Sequence, residues 1–215
     1  MKRVVVIGLG IFGTQLARQL YEGGLEVVAI DKNRDVVQRI KDHSTKAVLA
    51  DATDKEVLES IGIDAKDTVV ISFGEDLSAS TLLTLYLKEM KVKEIIVKVP
   101  NEDYKRILLK VGASEAIIPE REMANKVARS INSPNVMEYL PISEDYTIVE
   151  LAPPTDFIGK SLADLDLRKK YALQVIAIRD VLTNKMQLVP RASAIIKDSD
   201  VLVIIGREDD IRKIK

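Results

Sequence analysis

The sequence predicts an α/β fold, a Rossmann-like doubly wound parallel sheet of six strands followed by a small α+β C-terminal domain. Strand-like apolar segments alternate with amphipathic helical segments over residues 4–118, a pattern typical of parallel βαβ units. A glycine-rich turn at residues 8–13 follows the first of these segments. Beyond residue 134 the apolar segments become short and are separated by prolines, which indicates a second domain.

The first βαβ unit, residues 4–31, contains a strand, the glycine turn, a helix and a second strand. Gly8 permits the tight turn, Gly10 lets a phosphate approach the backbone, and Gly13 lets the helix pack closely on the strand. The helix that begins near Ile11 directs its unpaired N–H groups and positive dipole end toward that phosphate. The turn therefore predicts a nucleotide site.

Asp31 supports the same interpretation. It lies about twenty residues beyond the turn, at the carboxyl end of the second predicted strand, where an acidic side chain accepts hydrogen bonds from ribose hydroxyls. We expect an adenosine ribose at this position. The carboxylate would repel a 2′-phosphate, so NADP is disfavoured.

The remaining elements of the first domain follow the same alternation. We expect the ligand in the crevice outside the carboxyl ends of the strands. The predicted strands are residues 47–50, 68–72, 94–99 and 114–118, and the predicted helices are residues 34–42, 57–61, 76–90, 101–111 and 120–131. Thr53 or Asp54 is expected to cap the helix that contains residues 57–61.

A domain boundary is predicted where turn-forming residues interrupt the pattern, at 132–135 and at Pro141. The domains are expected to be 1–134 and 135–215. In the second, strands are predicted at 147–151, 174–178 and 201–205, and a terminal helix at 208–215. A unit of this size is marginal alone, so we expect it to pack on the first domain or on a copy of itself.

Composition limits the function classes. The 32 basic and 33 acidic residues leave a net charge of −1, so no strong field is available to hold nucleic acid or an anionic membrane. The absence of cysteine excludes thiolate catalysis. A strand directly after residues 1–3 argues against a cleavable signal, and no apolar run approaches a membrane span. We expect a soluble cytoplasmic protein without direct membrane insertion.

An NAD-dependent oxidoreductase is the alternative that the fingerprint permits, because the turn fits NAD equally well. Hydride transfer also needs an acid or base beside the substrate. The sole histidine, His43, lies at the end of a predicted helix, a position usually solvated, and Tyr104 is adjacent to Lys105 rather than four residues away. We therefore predict a binding module and not an enzyme.

These features together resemble the KtrA/TrkA family of regulatory subunits of potassium transporters, and are nearest to its KtrA branch. Proteins of this family have a regulator-of-potassium-conductance N-domain and C-domain. The segments that carry the resemblance are residues 6–13, Asp31, residues 50–53, 79–83, 112–113, 119–120 and 146–151.

The resemblance implies a cytoplasmic ring whose shape changes when an adenine nucleotide binds. N-domains of the family dimerise and assemble into an octameric ring on a membrane potassium-translocating subunit, and the nucleotide controls ion flux. A redox sensor that binds NAD(H) is the related alternative. The apolar face formed by Met123, Val127 and Ile131 would carry the dimer contact.

The resemblance also assigns site residues. Asp31 and Lys32 would meet the ribose, and Asp51 and Ala52 would frame the adenine. Glu120 would reach the nucleotide at the dimer contact, acting through a divalent cation such as Mg²⁺. The glycine loop that would hold the phosphates consists of Gly8, Leu9, Gly10, Ile11, Phe12 and Gly13.

One position departs from the family pattern. KtrA proteins carry an arginine after the second glycine of the turn, where this chain has Ile11. Replacing the arginine by isoleucine removes a charge-assisted hydrogen bond to phosphate, typically worth roughly 1.5–3 kcal/mol. AMP, ADP or NAD(H) therefore become credible ligands beside ATP. Arg3 and Lys32 are the candidates for a compensating cation.

The second domain contains a further expected site. Some KtrA relatives bind cyclic di-AMP between two copies of this domain. The residues that fall in the corresponding region are Ile178, Arg179, Asn184 and Pro190.

Overall fold

The computed structural model describes residues 2–73, 76–132, 136–143 and 145–214. These form two compact units, Met1–Met123 and Ala124–Lys215. The boundary predicted between residues 134 and 135, and most of the turn cluster at 132–135, lie outside the described residues. That domain boundary stays a prediction.

The first unit contains a six-stranded sheet in which all neighbouring strands are parallel. Its strands are β1 (Arg3–Ile7), β2 (Glu26–Asp31), β3 (Lys46–Leu49), β4 (Thr68–Ile71), β5 (Glu94–Lys98) and β6 (Glu115–Ile117). Across the sheet the strands lie in the order β3-β2-β1-β4-β5-β6. From β1 the chain adds strands first on one side, to β3, and then on the other side, from β4 to β6, as in a doubly wound fold. The predicted fold class is confirmed.

Among the described residues, five helices accompany this sheet, and a sixth begins in the first unit and continues into the second. They are α1 (Ile11–Glu22), α2 (Arg34–Ile40), α3 (Lys55–Ile61), α4 (Leu77–Glu89), α5 (Glu102–Val111) and α6 (Pro119–Asn132). Asp54 caps α3 by accepting a hydrogen bond from the Glu56 amide at 3.0 Å, which settles the choice between Thr53 and Asp54. None of the helices among the described residues is long and apolar enough to cross a membrane.

Because successive side chains of a strand point to opposite faces of the sheet, the apolar core is divided into two layers. Val4 and Val6 of β1 pack on the side of α1, whereas Val5 and Ile7 pack on the opposite side with Leu83 and other residues of α4 and α5. Each of these four residues of β1 is at most 4% exposed. This packing on both faces holds the carboxyl end of β1, and the turn that follows it, in a fixed position.

The second unit is an antiparallel sheet with the order β10-β9-β11-β8-β7. Its strands are β7 (Val136–Pro141), β8 (Tyr146–Leu151), β9 (Gln174–Asp180), β10 (Lys185–Leu188) and β11 (Asp200–Arg207). Short helices α7 (Leu162–Leu165), α8 (Leu167–Tyr171) and α9 (Glu208–Ile211) complete it.

The two edge strands of this sheet, β7 and β10, were not predicted. β10 is exposed at every residue and so lacks the alternation that identifies a half-buried strand. Pro141 ends β7, a place where its missing N–H costs little. The terminal helix predicted over 208–215 is also wrong in length, because α9 ends at Ile211.

Candidate functional site

The glycine turn lies between β1 and α1. Gly8 has a φ of +89°, which favours glycine. A Cβ at Gly13 would collide with the Gly8 carbonyl oxygen and the Ser72 hydroxyl, whereas a Cβ at Gly10 would have no heavy atom within 4 Å. The backbone at Gly10 is therefore open to a ligand, and Gly13 is needed for packing.

Asp31 is positioned by backbone amides on either side of it. The Leu9 N–H donates to Oδ2 at 2.6 Å, and the Asn33 N–H donates to Oδ1 at 2.8 Å. The Leu9 side chain itself is 2% exposed and packs in the core, so Leu9 contributes only its backbone. Each carboxylate oxygen of Asp31 keeps further acceptor capacity for a ligand hydroxyl.

A cavity of about 410 Å³, here termed the Asp31 cleft, lies outside the carboxyl ends of the strands. It contains six of the predicted site residues: Gly8, Gly10, Asp31, Lys32, Asp51 and Ala52. Its other lining residues are Ile7, Ile30, Ala50, Thr53, Ser72, Phe73, Asp76 and Ala79. The cleft thus combines apolar walls with three carboxylates and one lysine.

Asp51 forms one wall of the Asp31 cleft. Its carboxylate accepts hydrogen bonds from the Thr53 hydroxyl at 2.7 Å and the Thr53 N–H at 3.0 Å. These bonds, the hydroxyl first, hold the pKa of Asp51 below its ordinary value. The neighbouring Ala52 is 3% exposed and packs on the core, so it offers the cleft a small apolar surface.

A second cavity of about 710 Å³, here termed the Lys98 cleft, adjoins the first at the glycine turn. The two clefts share Gly10, Ser72 and Phe73. The other residues of the Lys98 cleft are Ile11, Phe12, Gln15, Lys98, Pro100 and Glu120. The predicted residues Ile11, Phe12 and Glu120 therefore lie in the Lys98 cleft rather than in the Asp31 cleft.

Lys98 pairs with Glu120 across the second cleft. Its ammonium also lies 6.0 Å from the centroid of the Phe12 ring. The ion pair holds the pKa of Glu120 below its ordinary value, chiefly through the hydrogen bond from Lys98. Ile11, by contrast, is 92% exposed and brings no charge to the site.

Lys98 was missed by the sequence analysis. The signal that could have identified it is its place at the end of β5, beside β4 and close to the point where the strand order reverses. Charged side chains at that edge of a doubly wound sheet face the ligand crevice.

No metal site is assembled from the residues that the structure describes, since they contain no group of three or more carboxylate or histidine side chains able to hold an ion. Glu120, the predicted metal ligand, is paired with Lys98 instead. A metal ion held by Glu120 at a dimer contact stays a prediction.

Arg3 does not lie at the site, and the expectation that it could replace the family arginine is wrong. It begins β1, at the end of the strand remote from the turn. Its guanidinium donates to Asp67 at 2.8 and 2.6 Å and to the Gly62 carbonyl.

His43 lines neither the Asp31 cleft nor the Lys98 cleft.

The residues expected to bind cyclic di-AMP are dispersed within one chain. Ile178 lines a cavity of about 570 Å³, and Pro190 lines a different one of about 200 Å³. Arg179 pairs with Glu150, and Asn184 lies in the turn after β9 with a φ of +51°. A cyclic di-AMP site between two copies of this domain stays a prediction.

Comparison with solved structures supports the fold. The crystal structure of the GsuK RCK domain matches with a TM-score of 0.64 and 17% identity, over 99% of this chain and 47% of that one. The GsuK channel bound to NAD matches with a TM-score of 0.66 and 18% identity, over 97% and 38%. At this identity the match concerns architecture alone.

Sequence comparison gives the family. Residues 4–119 match the TrkA-N domain and residues 146–215 the TrkA-C domain. Ktr system potassium uptake proteins C and A of Bacillus subtilis are each 38% identical over 212 residues, 99% of this chain and 95% of theirs. Protein A of Vibrio alginolyticus is 32% identical over 98% and 94%. The chain therefore belongs to the Ktr/TrkA family of potassium uptake proteins.

Proposed function

We propose that this chain is the nucleotide-binding regulatory subunit of a potassium uptake system. Adenine nucleotide binding in the two adjoining clefts changes the shape of an oligomeric ring and so controls ion flux through a membrane partner. The observation that carries this proposal is the Asp31 cleft, where an oriented carboxylate lies beside an open glycine turn.

The adenosine moiety is assigned to the Asp31 cleft. Asp31 accepts hydrogen bonds from the ribose hydroxyls, and Lys32 lies next to it at the same rim. Asp51 contacts the adenine through its carboxylate, and Ala52 contacts it through its apolar surface. The size of the cleft, about 410 Å³, is in the range of small-molecule sites.

The phosphates are assigned to the glycine turn. Gly10 leaves space for them, and the amino end of α1 offers unpaired N–H groups and the positive end of the helix dipole. Phosphates that extend past the turn enter the Lys98 cleft, where Lys98 takes the place of the missing arginine at Ile11.

The balance of charge favours ligands of moderate charge. Among the described residues, four carboxylates line the two clefts, from Asp31, Asp51, Asp76 and Glu120, against the ammonium groups of Lys32 and Lys98. This excess of negative charge opposes a free triphosphate more than a mono- or diphosphate. ADP, AMP and NAD(H) are therefore favoured over free ATP.

Helix α6 supplies the dimer contact. It is exposed along its length after Pro119 wherever burial is described. Met123, Val127 and Ile131 are 60%, 50% and 73% exposed and recur at a spacing of four residues on one face. An apolar stripe of this kind is typical of helices that pack on a partner. Dimers formed in this way assemble further, into an octameric ring on the cytoplasmic face of the membrane.

Scattering from the assembly tests the proposal. The purified protein is measured by small-angle X-ray scattering without ligand and with ADP, ATP or NADH, alongside Asp31→Asn and the matched control Asp35→Asn on the exposed surface of α2. We expect a nucleotide-dependent change of radius of gyration in the wild type and the control, and none in Asp31→Asn at a nucleotide concentration that saturates the first two proteins but not this variant. An identical scattering curve under all conditions would contradict regulation through ring shape.

An NAD(H)-binding oxidoreductase is the alternative, because Phe12 and Phe73 give the Lys98 cleft aromatic walls that suit a second nucleoside. Oxidation of NADH in the presence of simple keto acids would favour it.

A further inference from the structure

Ser72 follows β4 and lies against the glycine turn. The residue is 8% exposed, and it lines both the Asp31 cleft and the Lys98 cleft. Its backbone is held independently of its hydroxyl, because the Ser72 N–H donates to the Ile7 carbonyl at 2.8 Å and extends the pairing of β1 with β4 by one residue. A substitution that changes only the side chain therefore leaves residue 72 in its place beside the sheet.

The Ser72 hydroxyl donates a hydrogen bond to the Gly8 carbonyl. The hydroxyl is the donor because a carbonyl oxygen only accepts. No backbone N–H among the described residues donates to this carbonyl, and the α-carbon of Gly13 packs closely against the same oxygen. Within the described part of the chain, the hydroxyl is therefore the group that satisfies the Gly8 oxygen inside the turn.

The peptide unit that carries this oxygen continues to Asp31. Its C=O belongs to Gly8 and its N–H belongs to Leu9, and the Leu9 N–H donates to Asp31 Oδ2 at 2.6 Å. Because a trans peptide unit is planar, with its C=O and N–H pointing in opposite directions, a hydrogen bond at each end fixes the tilt of the whole plane. One peptide thus connects the Ser72 hydroxyl to the Asp31 carboxylate.

We propose that Ser72 is a positioning residue of the nucleotide site. Its hydroxyl fixes the Gly8–Leu9 peptide, and this peptide orients the Asp31 carboxylate for the ribose hydroxyls. The inference rests on the proposed function. Because glycine permits a wide range of backbone angles, loss of the hydroxyl lets this peptide tilt. The carboxylate is then less well oriented before the ligand arrives, which raises the cost of binding.

The next peptide of the turn is held by a different hydroxyl. Thr14 Oγ1 donates to the Leu9 carbonyl at 2.7 Å. The N–H of that peptide belongs to Gly10, the residue that faces open space, and not to a residue bonded to Asp31. Ser72 therefore acts on the ribose end of the site and Thr14 on the phosphate end, so Thr14→Val is a matched comparison for Ser72→Ala.

A double-mutant cycle tests the proposal by isothermal titration of the full-length protein with ADP. We expect Ser72→Ala to weaken ADP binding by about five- to tenfold relative to wild type, because the orientation of Asp31 is lost. In an Asp31→Ala background the same substitution should weaken binding by less than about twofold, because the group that Ser72 positions is absent. Any loss that Thr14→Val causes should be equal in the two backgrounds within about twofold.

Hydrogen exchange of the ligand-free protein, resolved to single amides, gives a readout that does not depend on nucleotide. In Ser72→Ala the Leu9 amide should exchange more than about tenfold faster than in wild type. The amides of Gly8 and Ser72 should keep their wild-type rates, because they donate to the Ile30 and Ile7 carbonyls of neighbouring strands.

Three results would overturn the inference: an ADP affinity of Ser72→Ala equal to that of wild type, an equal loss in both Asp31 backgrounds, or a Leu9 exchange rate that does not change. Faster exchange at Gly8, Leu9 and Ser72 together would also overturn it, because it would show a general loosening of the turn. If the wild type binds no nucleotide, the proposed function fails, whatever the Leu9 amide shows.

Discussion

At Asp31 a single carboxylate joins the glycine turn, the end of β2 and the start of α2, because it accepts hydrogen bonds from Leu9 and Asn33. Such bonds fix its orientation before any ligand arrives, which reduces the cost of binding. The glycines beside it have different roles, since Gly13 is in contact with backbone and Gly10 faces open space. Substitutions at these two glycines should therefore separate stability from binding.

Gly13→Ala should destabilise the fold, because its Cβ would collide with the Gly8 carbonyl. We expect a loss of about 3 kcal/mol in the free energy of unfolding, measured by urea denaturation. A change below about 0.5 kcal/mol would contradict the packing described here.

Gly10→Ala is the counterpart. Gly10 has a φ of −63°, which alanine adopts freely, so the free energy of unfolding should change by less than about 1 kcal/mol. Its methyl group would occupy the space assigned to phosphate, and the affinity for ADP should fall by more than about tenfold, measured by titration calorimetry. An unchanged affinity would show that the phosphates lie elsewhere.

Thr53 sets the ionisation of Asp51. Thr53→Val removes the hydroxyl donor, so the pKa of Asp51 should rise toward its ordinary value, whereas Thr53→Ser keeps the donor and should leave the pKa low. Because the folded pKa is depressed, this interaction stabilises the fold above the unfolded pKa, about 3.9, and the stabilisation is lost as pH falls through the folded pKa. Carboxyl carbon NMR titration measures the pKa directly. An equal value in all three proteins would contradict the assignment.

The position of Gly8, Gly10 and Asp31 at one cleft was predictable from a local rule, whereas contacts that depend on packing were not. The glycines and Asp31 follow from a spacing that one βαβ unit imposes. The pairing of Lys98 with Glu120 depends on β5 and α6 meeting at one edge of the sheet, and no short-range pattern encodes that meeting. The role predicted for Arg3 was wrong for the same reason. Its partner Asp67 lies 64 residues away in the sequence, so no local pattern indicates the contact.

At the scale of elements, α6 differs in its exposure from helices α1 to α5 of the first unit. Each of α1 to α5 buries at least one residue, whereas the residues of α6 whose burial is described are exposed after Pro119. A single helix of 14 residues is marginal in water without tertiary packing. Its exposed apolar stripe is the basis for the dimer contact proposed above.

Val127→Glu should disrupt that partnership by placing a charge in the proposed contact. We expect the dimer dissociation constant to rise by more than about tenfold, measured by analytical ultracentrifugation. Asn125→Glu adds the same charge at a polar position of the same helix and should leave the constant nearly unchanged. Equal behaviour of the two variants would argue against α6 as the dimer contact.

The parallel sheet was predictable because its central strands β1, β2 and β4 are nearly continuous apolar runs, as expected of strands buried on both faces. The antiparallel sheet was only partly predictable. Its central strands β8, β9 and β11 contain buried residues, but β10 has none. An edge strand that is exposed at every residue has the sequence pattern of a loop, so it is not identified without its neighbours.

On the scale of the whole molecule, the proposed function couples a nucleotide site in the first unit to the control of a membrane partner. A ligand shifts an equilibrium between ring shapes only by its difference in affinity for them. Family membership in potassium uptake proteins supports ion flux as the controlled process.

The most direct test of the central claim is isothermal titration of the purified oligomer with ATP, ADP, AMP, NAD and NADH, for wild type, Asp31→Asn and Asp35→Asn. We predict that wild type and Asp35→Asn bind ADP with equal affinity, and that Asp31→Asn binds it about 10- to 100-fold more weakly, because a charge-assisted hydrogen bond to the ribose is lost. Absence of binding by the wild type, or equal affinities for all three proteins, would contradict the assignment of the Asp31 cleft as the nucleotide site.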